Sequence, residues 1–111
     1  MNFENIYDLF VSNCLQNNLV FTPVDILNFS NVCNIKPDYS FLKYKLKNAK
    51  FDNYNQYKPF LGPVVFCPKN QNLKNNNYNL SKIMLELNLE NQNLNSNDKM
   101  NKIVNYIKYL N

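Results

Sequence analysis

The sequence predicts a small α+β domain, mainly helical, on three observations. Apolar residues recur at helical spacing behind capping side chains near both ends of the chain and around residue 25. A compact apolar run from Phe60 to Cys67 and an alternating stretch from Lys82 to Glu90 read as two strands. The 111 residues are 45% apolar, which suits one hydrophobic core, and no linker is long enough to divide them. Residues 1–111 are therefore expected to form a single domain, with 68–79 and 91–97 as flexible Asn-rich loops.

From Phe3 to Leu15, the residues Phe3, Ile6, Tyr7, Phe10 and Cys14 share one helical face. Glu4 and Asp8 sit in the first turns, where the helix dipole favours negative charge. Asn17 and Asn18 end this helix, and Leu19, Val20 and Phe21 form a short apolar link. Thr22 then caps a second helix, with Pro23 at its first position and Asp25 at its third. It is expected to bury Val24 and Leu27, with Ile26 and Val32 beside them, and to stop between Asn31 and Asn34 because Pro37 disfavours helix in Lys36. A third helix is expected from Pro37 to about Ala49, with Leu42, Leu46 and Ala49 on one side and Tyr39 and Phe41 flanking them. At 100° per residue, Lys43, Lys47 and Lys50 fall within about 60° of one another on the opposite side, with Ser40 nearby and Lys36 just ahead.

Residues 51–59 are polar and read as loop. Gly62-Pro63 then puts the first strand at an edge or delays its start to Val64, because proline cannot donate to a ladder. In the second, Ile83, Leu85, Leu87 and Leu89 alternate with Met84, Glu86, Asn88 and Glu90. Period two argues strand, with helix as the alternative because Leu, Met and Glu are strong helix formers. Ser96 or Asn97 caps a last helix in which Met100, Ile103, Val104, Ile107 and Leu110 make the core stripe.

Composition removes several functional classes. The chain has no Arg, hence no bidentate fork for guanine edges, and no His, the usual general base and commonest metal ligand. One glycine rules out a glycine-rich phosphate loop. Cys14, Cys33 and Cys67 are widely spaced and form no CxxC, which argues against a zinc site or disulfide framework and for core thiols. Only Cys33, near Lys36, has a sequence-local partner that would activate a thiol. Glu86 and Glu90 are adequately explained by solvent exposure. No cofactor, metal or small-molecule substrate is implied, and an enzyme is not expected. No run approaches the ~20 apolar residues of a membrane span. The N-terminus carries Glu4 and Asp8 in place of a basic signal-peptide region. An intracellular protein is expected, cytoplasmic with the nucleus open to it.

The formal charge of +4 is concentrated. Lys36 to Lys50 hold five lysines against Asp38 alone, while the remaining residues balance seven lysines against seven carboxylates. A localised positive field draws phosphates or acidic partners to one place. Three helices, two strands joined by a long loop, and a terminal helix resemble the layout of a winged helix-turn-helix, with the lysine stripe on the third helix. On that layout Lys36, Lys43, Lys47 and Lys50 would meet phosphates, and Tyr39 or Tyr44 would stack on a base. Lys69 and Lys74 would reach a neighbouring groove from the loop, and Asn75, Asn76 and Asn77 could address adenine. The expected function is binding of RNA or DNA, or of a ribonucleoprotein assembly such as a ribosome. The alternative is a protein adaptor, inhibitor or structural subunit of a larger complex, without nucleic-acid contact. The excess of Asn, Lys, Ile, Tyr and Phe fits an AT-rich genome, as of a parasite or virus, and the 14% aromatic share suits interfaces.

Overall fold

A computed structural model describes residues 1–110. Its elements are α1 (Phe3–Gln16), α2 (Pro23–Val32), α3 (Tyr39–Lys47), β1 (Tyr54–Tyr57), β2 (Val65–Pro68), α4 (Leu80–Glu86) and α5 (Ser96–Leu110), with short 3-10 turns at Leu73–Asn75 and Leu89–Asn91. The protein is thus α+β and mainly helical, and one buried cluster draws side chains from every helix and both strands. The expected succession of three helices, a hairpin and a C-terminal helix is present. Two differences change where its parts lie.

The hairpin is antiparallel and pairs Tyr54 with Pro68 and Tyr57 with Val65, so its first strand falls in the segment expected to be loop. The strand expected over 82–90 is instead α4 and a 3-10 turn. Burial there follows the helical period: Leu80, Ile83 and Met84 are inside, whereas Leu85 is 78% exposed. Helix-favouring Leu, Met and Glu outweigh a coincidental alternation, and the Asn79 side chain caps the first turn by accepting from Lys82 N. The connection 68–79 therefore joins a strand to a helix. Residues 91–97 likewise do more than link: Asn95, not Ser96 or Asn97, accepts from Asp98 N at 2.8 Å to cap α5.

Phe21 joins the hairpin to the helices. Its backbone exchanges two hydrogen bonds with Phe66, 2.9 and 3.1 Å, adding a single rung to the free side of β2. Its ring packs against Phe10 of α1, Phe51, Tyr54 and, most closely, Phe66 at 5.0 Å between centroids. The buried Tyr54 hydroxyl donates to Cys14 O and Leu19 O beyond the end of α1. Tyr78 accepts from Val20 N at 2.7 Å. Burial lifts both phenols, that of Tyr78 to about 12, so each stays neutral in place.

Helix ends are closed by asparagine where glycine is usual. Asn18, Asn34 and Asn88 follow the C-caps of α1, α2 and α4 with φ of 53°, 58° and 53°. After α2, Asn34 N donates to Asn31 O and Ile35 N to Ser30 O, which is a full Schellman closure; α1 ends the same way through Asn18 and Leu19. The α2 terminus is also met by Lys99 of α5, 2% exposed, whose ammonium donates to Val32 O. Left-handed backbone tolerates Asn and Gly better than Ala. Asn34→Gly is therefore expected to change the unfolding free energy by less than about 0.5 kcal/mol, and Asn34→Ala to lower it by about 1 kcal/mol in urea titrations; equal effects would contradict the left-handed cap.

Candidate nucleic-acid interface

α3 is attached to the body by one side. Asp38 caps it, accepting from Phe41 N at 3.0 Å. Phe41 meets Phe3 and Tyr7 of α1 edge-on at 6.1 and 5.7 Å between centroids, and Leu42 is buried beside them. Lys45 turns inward: its ammonium lies 5.6 Å from the Phe41 ring centre and 5.9 Å from that of Tyr7, a cation–π arrangement that covers the contact.

The other side is free. Lys43, Lys47, Ser40 and Tyr44 are exposed there, and helical geometry gathers them within about 100° of arc. The helix is shorter than expected, starting at Tyr39 and stopping at Lys47. Asn48 ends it, its side-chain amide donating back to Tyr44 O at 3.2 Å. Lys50 thus lies beyond the helix and is not part of a helical stripe, although it is exposed. It joins Tyr44, Lys45, Asn48, Ala49, Phe51 and Tyr7 around an open concavity of about 400 Å³ at the C-terminal end of α3. Lys50 and the aromatic residues Tyr7, Tyr44 and Phe51 border this hollow, a set suited to a phosphate beside a planar base. Lys36 is exposed in the connection before the helix, and Tyr39, 67% exposed, opens it.

Lys69 and Lys74 are exposed in the chain after β2, outside α3. Lys69 follows β2, where its N–H donates to Asn53 O, and Lys74 lies in the 3-10 turn after it. Asn75, Asn76 and Asn77 border a separate hollow of about 380 Å³ with Asn17, Asn18 and Lys108. Asn17 and Tyr7 are ten residues apart on α1, so that hollow is about 15 Å along the helix from the rings that seat α3. Asn76 donates one amide N–H to Tyr78 O at 2.9 Å. The loop with the exposed position of a wing is instead the hairpin tip, 58–64, where Lys58 and Phe60 are exposed. Its signal in the sequence was the pairing of prolines around Phe60-Leu61-Gly62, which marks a turn.

A second polar group lies outside this face. The Asp25 carboxylate, 5% exposed, accepts from Thr22 N at 2.8 Å, Ser81 N at 3.1 Å and the Ser81 hydroxyl, so that it serves the N-termini of α2 and α4 together. Burial raises its pKa, and the hydrogen bonds from Ser81 and Thr22 pull it partly back. Burial likewise pushes up all three thiols; at Cys33 the Ser96 hydrogen bond and Lys99 oppose this. Among the described residues no group of three or more Cys, Asp or Glu side chains could hold a metal ion. None of their helices is long and apolar enough to cross a membrane. No family model matches the chain, and no curated protein and no solved structure is significantly similar to it.

A carboxyl whose pKa is higher folded than unfolded binds its proton more tightly in the native state, so its contribution to stability is full below the unfolded value and is lost as pH rises through the folded one. Asp25→Asn, whose amide must turn a donor toward a backbone N–H, is expected to lose about 1–3 kcal/mol at pH 7 in urea unfolding. The gap from the native chain should widen as pH falls from 7 to 3. Narrowing would show that the caps outweigh burial and hold the carboxyl low.

Proposed function

We propose that the protein is a small non-enzymatic binding protein that associates inside the cell with nucleic acid, RNA foremost, or with a ribonucleoprotein assembly such as a ribosome. The contact surface is the free side of α3 with the chain on either side of it: Lys36, Lys43, Lys47 and Lys50 toward phosphates, Tyr39 and Tyr44 toward bases. The observation that carries this reading is the interleaving of exposed lysines with exposed rings on one attached helix, where the inward lysine, Lys45, is already occupied by Phe41 and Tyr7. Lysine without arginine neutralises phosphate as a point charge, which favours backbone contact over base-edge readout.

A protein-docking role as adaptor, inhibitor or structural subunit is the second reading. It draws support from Leu85 and Tyr109, 78% and 86% exposed on α4 and α5. Salt separates the two, because phosphate contacts release counterions and apolar contacts do not. Binding to labelled RNA and duplex DNA is expected to weaken with a log–log salt slope of about −2 to −5, and Lys43→Glu with Lys47→Glu and Lys50→Glu to flatten it. Equal binding by that variant, or none by the native chain at low salt, would overturn the nucleic-acid reading. All three lysines are exposed, so the variant should unfold like the native chain.

A further inference from the structure

The hairpin tip carries the most exposed large apolar residue of the described chain, Phe60 at 100%, with Leu61 beside it at 84%. The tip is held in shape. Tyr57 pairs with Val65 at its base, Gly62 adopts φ +115° as few other residues could, and Pro59 and Pro63 restrict the backbone on either side. A projecting aromatic ring without a neighbour leaves its π-face open to a partner that supplies one.

The surroundings define that partner's charge. No Asp or Glu occurs between Asp52 and Glu86, whereas Lys58 adjoins the tip, and Tyr57 beside it is 40% exposed. The hairpin is also tied to the α3 surface: Gln56 donates through its side-chain amide to Ala49 O at 2.9 Å, next to Lys50. Four residues of extended chain from Gln56 to Phe60 span about 13 Å, the length of about four stacked nucleotides at 3.4 Å each.

We propose that this tip is a wedge that stacks Phe60 on an unpaired base of the bound nucleic acid, with Lys58 against the adjoining phosphate and Leu61 beside the ring. The proposal rests on the nucleic-acid reading above and narrows its ligand to single-stranded or locally unpaired RNA. A duplex keeps its bases stacked on one another and offers the ring a face only after unstacking, whereas a single strand offers π-faces freely. A lipid surface is the poorer match, because one Phe and one Leu are less apolar anchor than stable membrane attachment needs.

The test measures anisotropy of a labelled 12-nucleotide single-stranded RNA and of its duplex with the native chain, Phe60→Ala, Phe60→Tyr and the triple lysine-to-glutamate variant. Phe60→Ala is expected to lose about 5- to 100-fold in affinity for the single strand, with the salt slope and duplex affinity unchanged, and Phe60→Tyr to restore it. Salt-dependent binding that Phe60→Ala leaves intact would overturn the wedge while sparing the lysine surface. No binding by the native chain would overturn both. Co-sedimentation with phosphatidylserine vesicles that Phe60→Ala abolishes, with RNA binding unaltered, would assign the tip to a membrane and overturn the wedge. Because Phe60 packs against no other ring and is fully exposed, its variants should match the native chain in thermal unfolding.

Discussion

The Phe21–Phe66 contact is the constraint on which the arrangement of this protein depends. A four-residue hairpin strand pair cannot stand alone in water. Here it is made stable by joining, through one fully buried residue, a backbone rung to a stack of rings. Phe21 lies between α1 and α2, and Phe51 lies between α3 and β1, so their packing at 5.8 Å fixes where the chain leaves α3 and enters the hairpin. The lysine surface and the hairpin tip owe their common placement to that core. Asp25 does the equivalent for the helical side, holding α4 against α2 with one carboxylate.

Asparagine accounts for much of the local structure. With a single glycine, the chain turns its helices by placing Asn at left-handed positions, and it starts them with Asn at positions 2, 79 and 95. Nucleotide bias explains why Asn is the residue available; geometry explains why it stands at these places. This bears on function, because an Asn engaged in a cap or turn has part of its amide already committed and its orientation set. Asn76 is such a residue, and so is Asn72, which accepts from Lys74 N.

The elements that were legible in the sequence are those with a start signal and a period. Thr22, Pro23 and Asp25 occupy N-cap, N1 and N3 of α2 as read, and both side-chain bonds of the capping box form. The stripe of α5 is buried from Met100 to Ile107. β1 was hidden because Tyr-Asn-Gln-Tyr is short and carries an Asn, which strands disfavour, and its stability comes from Phe21, Phe66 and the carbonyls that take the Tyr54 hydroxyl, all outside the strand. α4 was hidden by the alternation of Ile83, Leu85, Leu87 and Leu89 with Met84, Glu86, Asn88 and Glu90, whereas burial puts Leu80, Ile83 and Met84 inside together. At the site, the exposure of Lys43, Lys47, Tyr39 and Tyr44 was readable from the helix. The inward turn of Lys45 was not, since the ring of Tyr7 on α1 joins that of Phe41 to decide it, nor was the early stop before Lys50, which no glycine or proline announces.

The resulting picture is of a compact helical body presenting one cationic, ring-bearing surface made of α3 and the neighbouring hairpin. Amide hydrogen exchange with and without single-stranded RNA locates the contact surface most directly. The account predicts slowed exchange in residues 39–47 and 54–62, with 70–77 and α5 unchanged. Slowing confined to 70–77 and α5, or none at a saturating RNA concentration, would contradict it.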